Sequence, residues 1–503
     1  MSRPGTPSGV RVTARQSFAT YLASVAGNYV FLTLSFLVSV VLTRGLGVGG
    51  FGRLTLVIAV GQTAALFAGF WTYAGLLRYG AEELAVAGTL RRVLWGRMLL
   101  AAPTVLLFVA LGWAFRGEVQ AFHGVETIGF PALTLYFLTL FVDHTLQAVY
   151  HARARAGAWS LLQAGERGIV LAVVLLGHLR GALSVEGVLA AYVAAGLGLA
   201  VAGAVLLDRR DLLPVETSRG TVRRVLLFSW PMLIGVLGSY FSSNWLDVAV
   251  IRHFLGAEAV GQYALAYQLM GAVQQVPTMS FPAVVPLLVG AYVRDRGTSV
   301  QLYLDRAVPH AVFAMSALLS LGVLLAPAVV TSVFGPAFAE SARVLVVLLF
   351  AVGWYCVFIA YIPILNLRER SLRILGASLA AAAVNVAGDL VLIPLWGLSG
   401  AAWATVLAQA TSALLVAAWA RREYPTVLAP VVLMLGPLGL VTLGAAWWGS
   451  RGALAGALLA AGLLVIVARR QRLGSAADRR ILASMDLPGL RRLLPLPADG
   501  EAR

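Results

Sequence analysis

Apolar runs of about 20 residues, the length a helix needs to cross the hydrocarbon core of a bilayer, recur along almost the whole chain. Each is closed by a cluster of arginine, glycine or proline. They lie near 20–42, 51–77, 93–115, 129–150, 159–179, 187–207, 225–250, 259–290, 309–334, 342–366, 372–393, 398–419, 426–447 and 452–468, fourteen in all. No segment between them is long enough to form a globular domain. A backbone in lipid must satisfy its own hydrogen bonds, so runs of this kind predict helices. The span 259–290 is long and holds Pro277, Pro282 and Pro286, so it should bend or tilt. Composition agrees: 60% of the 503 residues are hydrophobic and 12% charged, against about 25% charged in soluble domains. The expected fold is an all-α polytopic membrane protein of about 14 transmembrane helices.

The net charge is +16, and all 38 basic residues are arginine. A basic balance can signal nucleic acid. Here the arginines stand in short clusters between apolar runs, which is a topology pattern, and no nucleic-acid partner is expected. With the N-terminus inside and the spans alternating, 30 arginines fall on the cytoplasmic side and 7 outside, with Arg167 left within a span. That split satisfies the positive-inside rule. It leads to the expectation that both termini are cytoplasmic. The first apolar run is too long for a signal peptide's core, so it is expected to be retained. The single cysteine, Cys356, offers no disulfide framework.

The turn after the first run reads RGLGVGGFGR (44–53) and contains GxGxxG twice. In a soluble protein that pattern suggests a dinucleotide-binding turn, but the motif needs a preceding strand in a βαβ unit. The pattern that does recur is a different one. RGLGVGGFGRLTL (44–56) aligns with HFLGAEAVGQYAL (253–265) at an offset of 209, which pairs Leu46 with Leu255, Gly47 with Gly256 and Gly52 with Gly261. Six spans separate the copies, so the halves share one orientation. A parallel repeat of this kind puts a transporter's substrate path between two bundles. The expected organisation is a cytoplasmic N-terminus (1–19), a six-helix bundle (20–207), a cytoplasmic linker (208–224), a second six-helix bundle (225–419), two further helices (426–468) and a basic cytoplasmic tail (469–503). The tail alternates basic pairs with apolar residues, which suits either an interfacial helix on an anionic leaflet or disorder.

LTRGLGVGGFG (42–52), followed by AGLLRYGAEELA (74–85), resembles the N-terminal signature of oligosaccharide flippases. These are polysaccharide biosynthesis membrane proteins of the multidrug/oligosaccharidyl-lipid/polysaccharide exporter superfamily. SWPMLIGVLGSYFSSNWLDVAVIRHFLGAEAVGQYALAYQL (229–269) is similar to their seventh and eighth spans, and NVAGDLVLIPLWGLSGAAWATVLAQ (385–409) to their eleventh and twelfth. The likeness covers most of 15–420. It implies movement of a polyprenyl-pyrophosphate-linked oligosaccharide to the outer leaflet by alternating access, with membrane lipids and a polysaccharide polymerase as partners. Lipid II flippases of the superfamily carry arginines in the first span, and 20–42 has none. That argues against a peptidoglycan precursor.

A charge at mid-bilayer costs roughly 2.5–3.5 kcal/mol on insertion scales, so the few polar residues inside spans are the candidate sites. Asp143 and His144 before the end of span 4, and Glu166 and Arg167 in span 5, share a depth of roughly 10–12 Å from the inner surface at about 1.5 Å per residue. They form either a coupling or headgroup site or a buried Asp143–Arg167 pair locking the hairpin. Ser239, Ser243 and Asp247 make a polar stripe on span 7, opposite Gln268 on span 8, and suit either the cavity wall or interhelical hydrogen bonding. Asn385 and Asp389 share a face of span 11, where coupling and helix packing are the alternatives. Arg78 matches the family's arginine after Gly-Leu, and with Arg44 and Arg252 it sits at a span mouth. Guanidinium groups hold phosphate oxygens, and the three are candidate pyrophosphate ligands or interfacial anchors.

The chain has no cysteine–histidine cluster for a metal, no Walker motif, and no carboxylate pair on a long outer loop. No cofactor and no enzymatic activity are expected. The alternatives to a flippase are a multidrug cation exporter of the same superfamily and a membrane-embedded polymerase or ligase.

Overall fold

The computed structural model describes residues 14–241, 244–280, 298–425 and 428–470, together with Leu288 and Tyr292. Every regular element among them is a helix. The order is α1 (Ala14–Gly69), α2 (Tyr73–Ala87), α3 (Arg91–Ala114), α4 (Arg116–His123), α5 (Phe130–Ala152), α6 (Ala156–Leu179), α7 (Val185–Val205), α8 (Arg209–Leu212) and α9 (Arg219–Ser229). It continues with α10 (Met232–Phe241), α11 (Asn244–Leu255), α12 (Ala257–Ser280), α13 (Thr298–Leu302), α14 (Val308–Phe334), α15 (Ala339–Leu367), α16 (Ser371–Trp396), α17 (Leu398–Glu423) and α18 (Leu428–Arg470).

Ten described helices are long and apolar enough to cross a membrane. The difference from fourteen has four local causes. Spans 1 and 2 run as one helix through a break at Gly47, whose φ is 66°. Span 7 bends by 41° where α9 gives way to α10. Span 8 is described as α12, which carries Gln262, Gln268, Gln274 and Gln275 and is less apolar than the ten. Span 14 follows a break at Gly449 and survives as the shorter apolar stretch Arg451–Leu463. Pro282 and Pro286 lie outside the described residues, as do 471–503 of the tail.

The chain divides into two compact units. The first takes residues up to Gln268 with Val330–Ser341 and Asn385–Ala401, and the second takes Leu269–Val329, Ala342–Val384 and Ala402 onward. Packing in lipid depends on close van der Waals fit and on interhelical hydrogen bonds. In the first unit Trp159, Tyr150, Leu76 and Leu90 are fully buried together, and the Tyr150 hydroxyl donates to the Gly203 carbonyl at 2.9 Å. In the second, Tyr303, Val312, Tyr361 and Val416 form the centre, and Tyr303 donates to the Ala360 carbonyl at 2.8 Å.

The repeat is visible in the turns. Gly47, Gly124 and Gly181 take left-handed conformations in the first half, and Gly256, Gly335 and Gly397 take them at the corresponding turns of the second. Among the described residues two other than glycine also have positive φ, Ala154 (56°) and Glu369 (54°), each in the middle of an Arg-x-Arg turn. The backbone hydrogen bonds of the two turns match. Ala154 N–H donates to His151 O and Arg155 N–H to Tyr150 O; Glu369 N–H donates to Asn366 O and Arg370 N–H to Leu365 O. Each turn also sends its first arginine to a carboxylate beyond the next two spans, Arg153 to Asp211 and Arg368 to Glu423.

Candidate transport cavity and buried polar cluster

Within the first unit a cavity of about 480 Å³ opens among α1, α5, α6, α7 and α12. Its wall includes Asp143, His144, Glu166 and Arg167, together with Ser39 and Gln268. Four of the residues singled out inside spans 4 and 5 therefore meet at one place. Asp143 and Arg167 form no ion pair among the described residues. Arg167 Nε instead lies 3.7 Å from its neighbour Glu166, and its guanidinium sits over the rings of Phe31 (5.0 Å) and Tyr192 (5.2 Å). Asp143 is hydrogen-bonded to Gln163, and its Oδ1 is buried without a partner. Gln268 Nε2 donates to the Ser39 hydroxyl at 2.6 Å, which joins α12 to α1 across the wall.

Asp247, by contrast, is absent from the cavity wall. It is 1% exposed, on α11, and packs with Asn385 and Asp389 of α16. Asn385 Nδ2 donates to Asp247 Oδ1 at 2.8 Å and to Asp389 Oδ2 at 3.3 Å, and Tyr263 donates its hydroxyl to Asp247 Oδ2. Asp389 Oδ1 is buried with no hydrogen-bond partner. One turn of helix separates Asn385 from Asp389, so both face the same neighbour. Ser243 and the Ser239 side chain lie outside the described residues.

The three mouth arginines have different surroundings. Arg44 donates from Nε to Val333 O (2.8 Å) and from Nη2 to Ser332 O (2.9 Å), the last turn of α14 before left-handed Gly335. Arg252 does the same at α4: Nε to Phe122 O (2.9 Å) and Nη2 to Ala121 O (3.4 Å), just before left-handed Gly124. Both guanidinium groups therefore cap helix C-termini, where the carbonyls lack intrahelical donors. Arg78 is exposed and stacks over Phe228 (4.8 Å) and Tyr79 (5.5 Å), with no ion pair among the described residues.

Between Arg44 and Arg252 the recurring motif meets itself. A Cβ on Gly52 would overlap the carbonyl oxygen of Ala257, and one on Gly261 would overlap that of Val48. Val48 and Ala257 are equivalent at the repeat offset, so the contact is reciprocal. The first glycine of each motif breaks the helix, and the second lets the two copies touch backbone to backbone.

Arg97 is the site residue that sequence reasoning assigned elsewhere. Counted with the cytoplasmic arginines, it is instead fully buried in α3. Its Nε donates to Thr72 (2.9 Å) and its Nη1 to Thr145 (2.5 Å), and the guanidinium lies 5.3 Å from the centre of the Phe141 ring. The available signal was its place inside the apolar run 93–115.

These features describe an all-helical membrane protein with apolar helices around a polar cavity and a doubled turn pattern. The structure is similar to a lipid II flippase, MurJ, in an inward closed conformation (TM-score 0.66, 11% identity, covering 90% of this chain and 99% of that one). It is also similar to an inward-facing multidrug resistance MATE family transporter (TM-score 0.60, 14% identity, 78% and 94% covered). A third likeness is to a superfamily transporter from Pyrococcus furiosus described by the reverse polarity of its binding pocket (TM-score 0.52, 15% identity, 86% and 99% covered). No curated protein matches the sequence. The family described as polysaccharide biosynthesis protein matches residues 19–291, more than half of the chain, and the chain belongs to that family.

Proposed function

We propose that the protein is a flippase, not an enzyme, that carries a polyprenyl-pyrophosphate-linked oligosaccharide across the bacterial inner membrane by alternating access. The observation that carries this reading is a polar cavity of about 480 Å³, whose wall holds Asp143, His144, Glu166 and Arg167, in a member of the polysaccharide biosynthesis family. The sugar crosses in the polar cavity while the polyprenyl tail stays in lipid. Arg78, exposed and free of carboxylates among the described residues, is the best-placed ligand for the pyrophosphate at the cytoplasmic mouth. Arg44 and Arg252 already serve helix carbonyls and close the outer end.

The Asp247–Asn385–Asp389 cluster is the coupling site in this reading. Two buried carboxylates around one amide, with no guanidinium paired to them among the described residues, favour a shared proton or a small monovalent cation. Transport by an Asp389→Asn variant should lose its response to an imposed ion gradient.

Depletion of the protein should leave the lipid-linked oligosaccharide in the inner leaflet; normal translocation in a deletion strain without a paralogue rejects the proposal. A polysaccharide polymerase is the expected neighbour in the membrane. The second reading is a multidrug cation exporter, favoured by Asp143 and Glu166 in the cavity. It requires loss of cationic dye efflux on deletion.

A further inference from the structure

The cavity in the first unit holds two carboxylates, Asp143 and Glu166, one guanidinium, Arg167, and one imidazole, His144. That guanidinium is already matched. Glu166 lies 3.7 Å from its Nε, and the electron-rich faces of Phe31 and Tyr192 lie on it. Arg97, the other buried cation of this region, is not part of the wall and is held by Thr72 and Thr145. Asp143 thus brings a carboxylate with no cation paired to it among the described residues, and its Oδ1 has no hydrogen-bond partner. The rest of the polar wall is amide, hydroxyl and the His144 imidazole, with Gln163 on Asp143, Gln62 on the Tyr136 hydroxyl and the His144 ring edge-on to Phe70. A carboxylate and amide wall accepts and donates hydrogen bonds to hydroxyl groups, and aromatic rings lie against apolar sugar faces. Among the described residues its only basic groups are Arg167, already matched, and the His144 imidazole, against two carboxylates.

We infer that this cavity is a subsite for a neutral sugar residue and excludes sugar residues that carry a carboxylate or phosphate. The inference rests on the flippase reading and divides the substrate in two. The pyrophosphate stays at the Arg78 mouth, and the sugar nearest to it enters a cavity whose charge is of the opposite preference. Asp143 and Glu166 act as specificity-determining residues, because an acidic sugar would stand beside an uncompensated carboxylate in a region shielded from bulk water. The volume suits this division. At about 480 Å³ it is a small-molecule site, sized for the first part of a headgroup and not for a long oligosaccharide.

The test uses purified full-length protein in proteoliposomes, with a fluorescent polyprenyl-pyrophosphate-linked disaccharide and the matching compound in which one sugar is a uronate. Exposure to an impermeant quencher reports translocation. The wild type should move the neutral compound about tenfold faster or more, the scale of a like-charge penalty at a binding site. Asp143→Asn and Glu166→Gln are near-isosteric, and each should narrow that ratio several-fold. Glu82→Gln removes a carboxylate that pairs with exposed Arg224 away from the cavity, and it should leave the ratio unchanged. Because the readout is a ratio, it does not depend on how much of each variant folds. Equal rates for the two compounds in the wild type, or an unaltered ratio in both cavity variants, overturn the inference while leaving the flippase reading intact. If neither compound moves, the flippase reading fails and the inference with it.

Discussion

Arg97 shows how a charge is held in an apolar helix with no carboxylate paired to it among the described residues. Thr72 already donates to the Gly69 carbonyl (2.6 Å) and Thr145 to the Phe141 carbonyl (2.8 Å), so both hydroxyl oxygens remain free to accept from the guanidinium. Removing the guanidinium therefore orphans no donor, and the main cost of Arg97→Ala is the void. A drop of about 2–4 kcal/mol is expected, seen as a lower melting temperature in detergent. Arg97→Met fills the space and should stay within about 1 kcal/mol of the wild type; equal melting of the two variants contradicts this account. Arg78 belongs to a different class of arginine, since it is exposed and stacked on rings. Arg78→Ala should impair transport more than Arg451→Ala at matched expression, and equal rates count against a phosphate role. The cavity residues Asp143, His144, Glu166 and Arg167 were legible because charge in an apolar run is rare. The pairing was not, because which neighbour an arginine chooses depends on helix rotation that periodicity leaves open. The burial of Arg97 was missed for a related reason. A few residues from a span end, lipid headgroup and protein interior look alike in sequence.

At the scale of elements, the doubled turn was legible as Leu46-Gly47 and Leu255-Gly256, with a second glycine at 52 and 261. Its role was not, because nothing in one copy tells that its partner is the other copy. Gly52→Val should force the Ala257 and Val48 carbonyls apart and so weaken closure at the Arg44 end. The measurement is labelling of a cysteine placed at position 48 by an impermeant maleimide. The expected result is faster labelling in Gly52→Val than in Gly49→Ala, where the added Cβ meets only the Glu258 side chain at 3.6 Å. Equal labelling rejects the crossing as the closure. The Arg-x-Arg turns at 153–155 and 368–370 escaped notice because alanine and glutamate gave no sign of a left-handed residue. Between α8 and α9, Glu216 accepts from Arg92 (2.7 Å) and Arg91 (2.9 Å). The Arg92 hydrogen bond, seconded by Arg91, holds its carboxyl below the ordinary range. A depressed carboxyl contributes fully above its unfolded value and loses that contribution as pH falls through its folded value. The protection of amides in 208–218, measured against intrinsic exchange at each pH, should therefore fall on acidification below the normal carboxylate range, and Glu216→Gln should abolish the dependence.

For the molecule as a whole, fourteen apolar runs in one chain left a membrane-spanning helical fold as the only outcome, and the parallel repeat led to the expectation of a transporter. The division into units follows contacts that sequence order does not reveal. Residues Asn385–Ala401 join the first unit although they come late in the chain, drawn by the Asn385 bridge to Asp247. The membership of that cluster needed three-dimensional contact, since Asp247 and Asp389 are each a lone carboxylate in sequence. The most direct test of the central claim is translocation by the purified protein alone in proteoliposomes. A neutral polyprenyl-pyrophosphate-linked oligosaccharide should become accessible on the opposite leaflet at a rate well above protein-free vesicles, while a cationic dye in the same vesicles is not moved. Transport of the dye with no movement of the lipid-linked sugar would contradict the account.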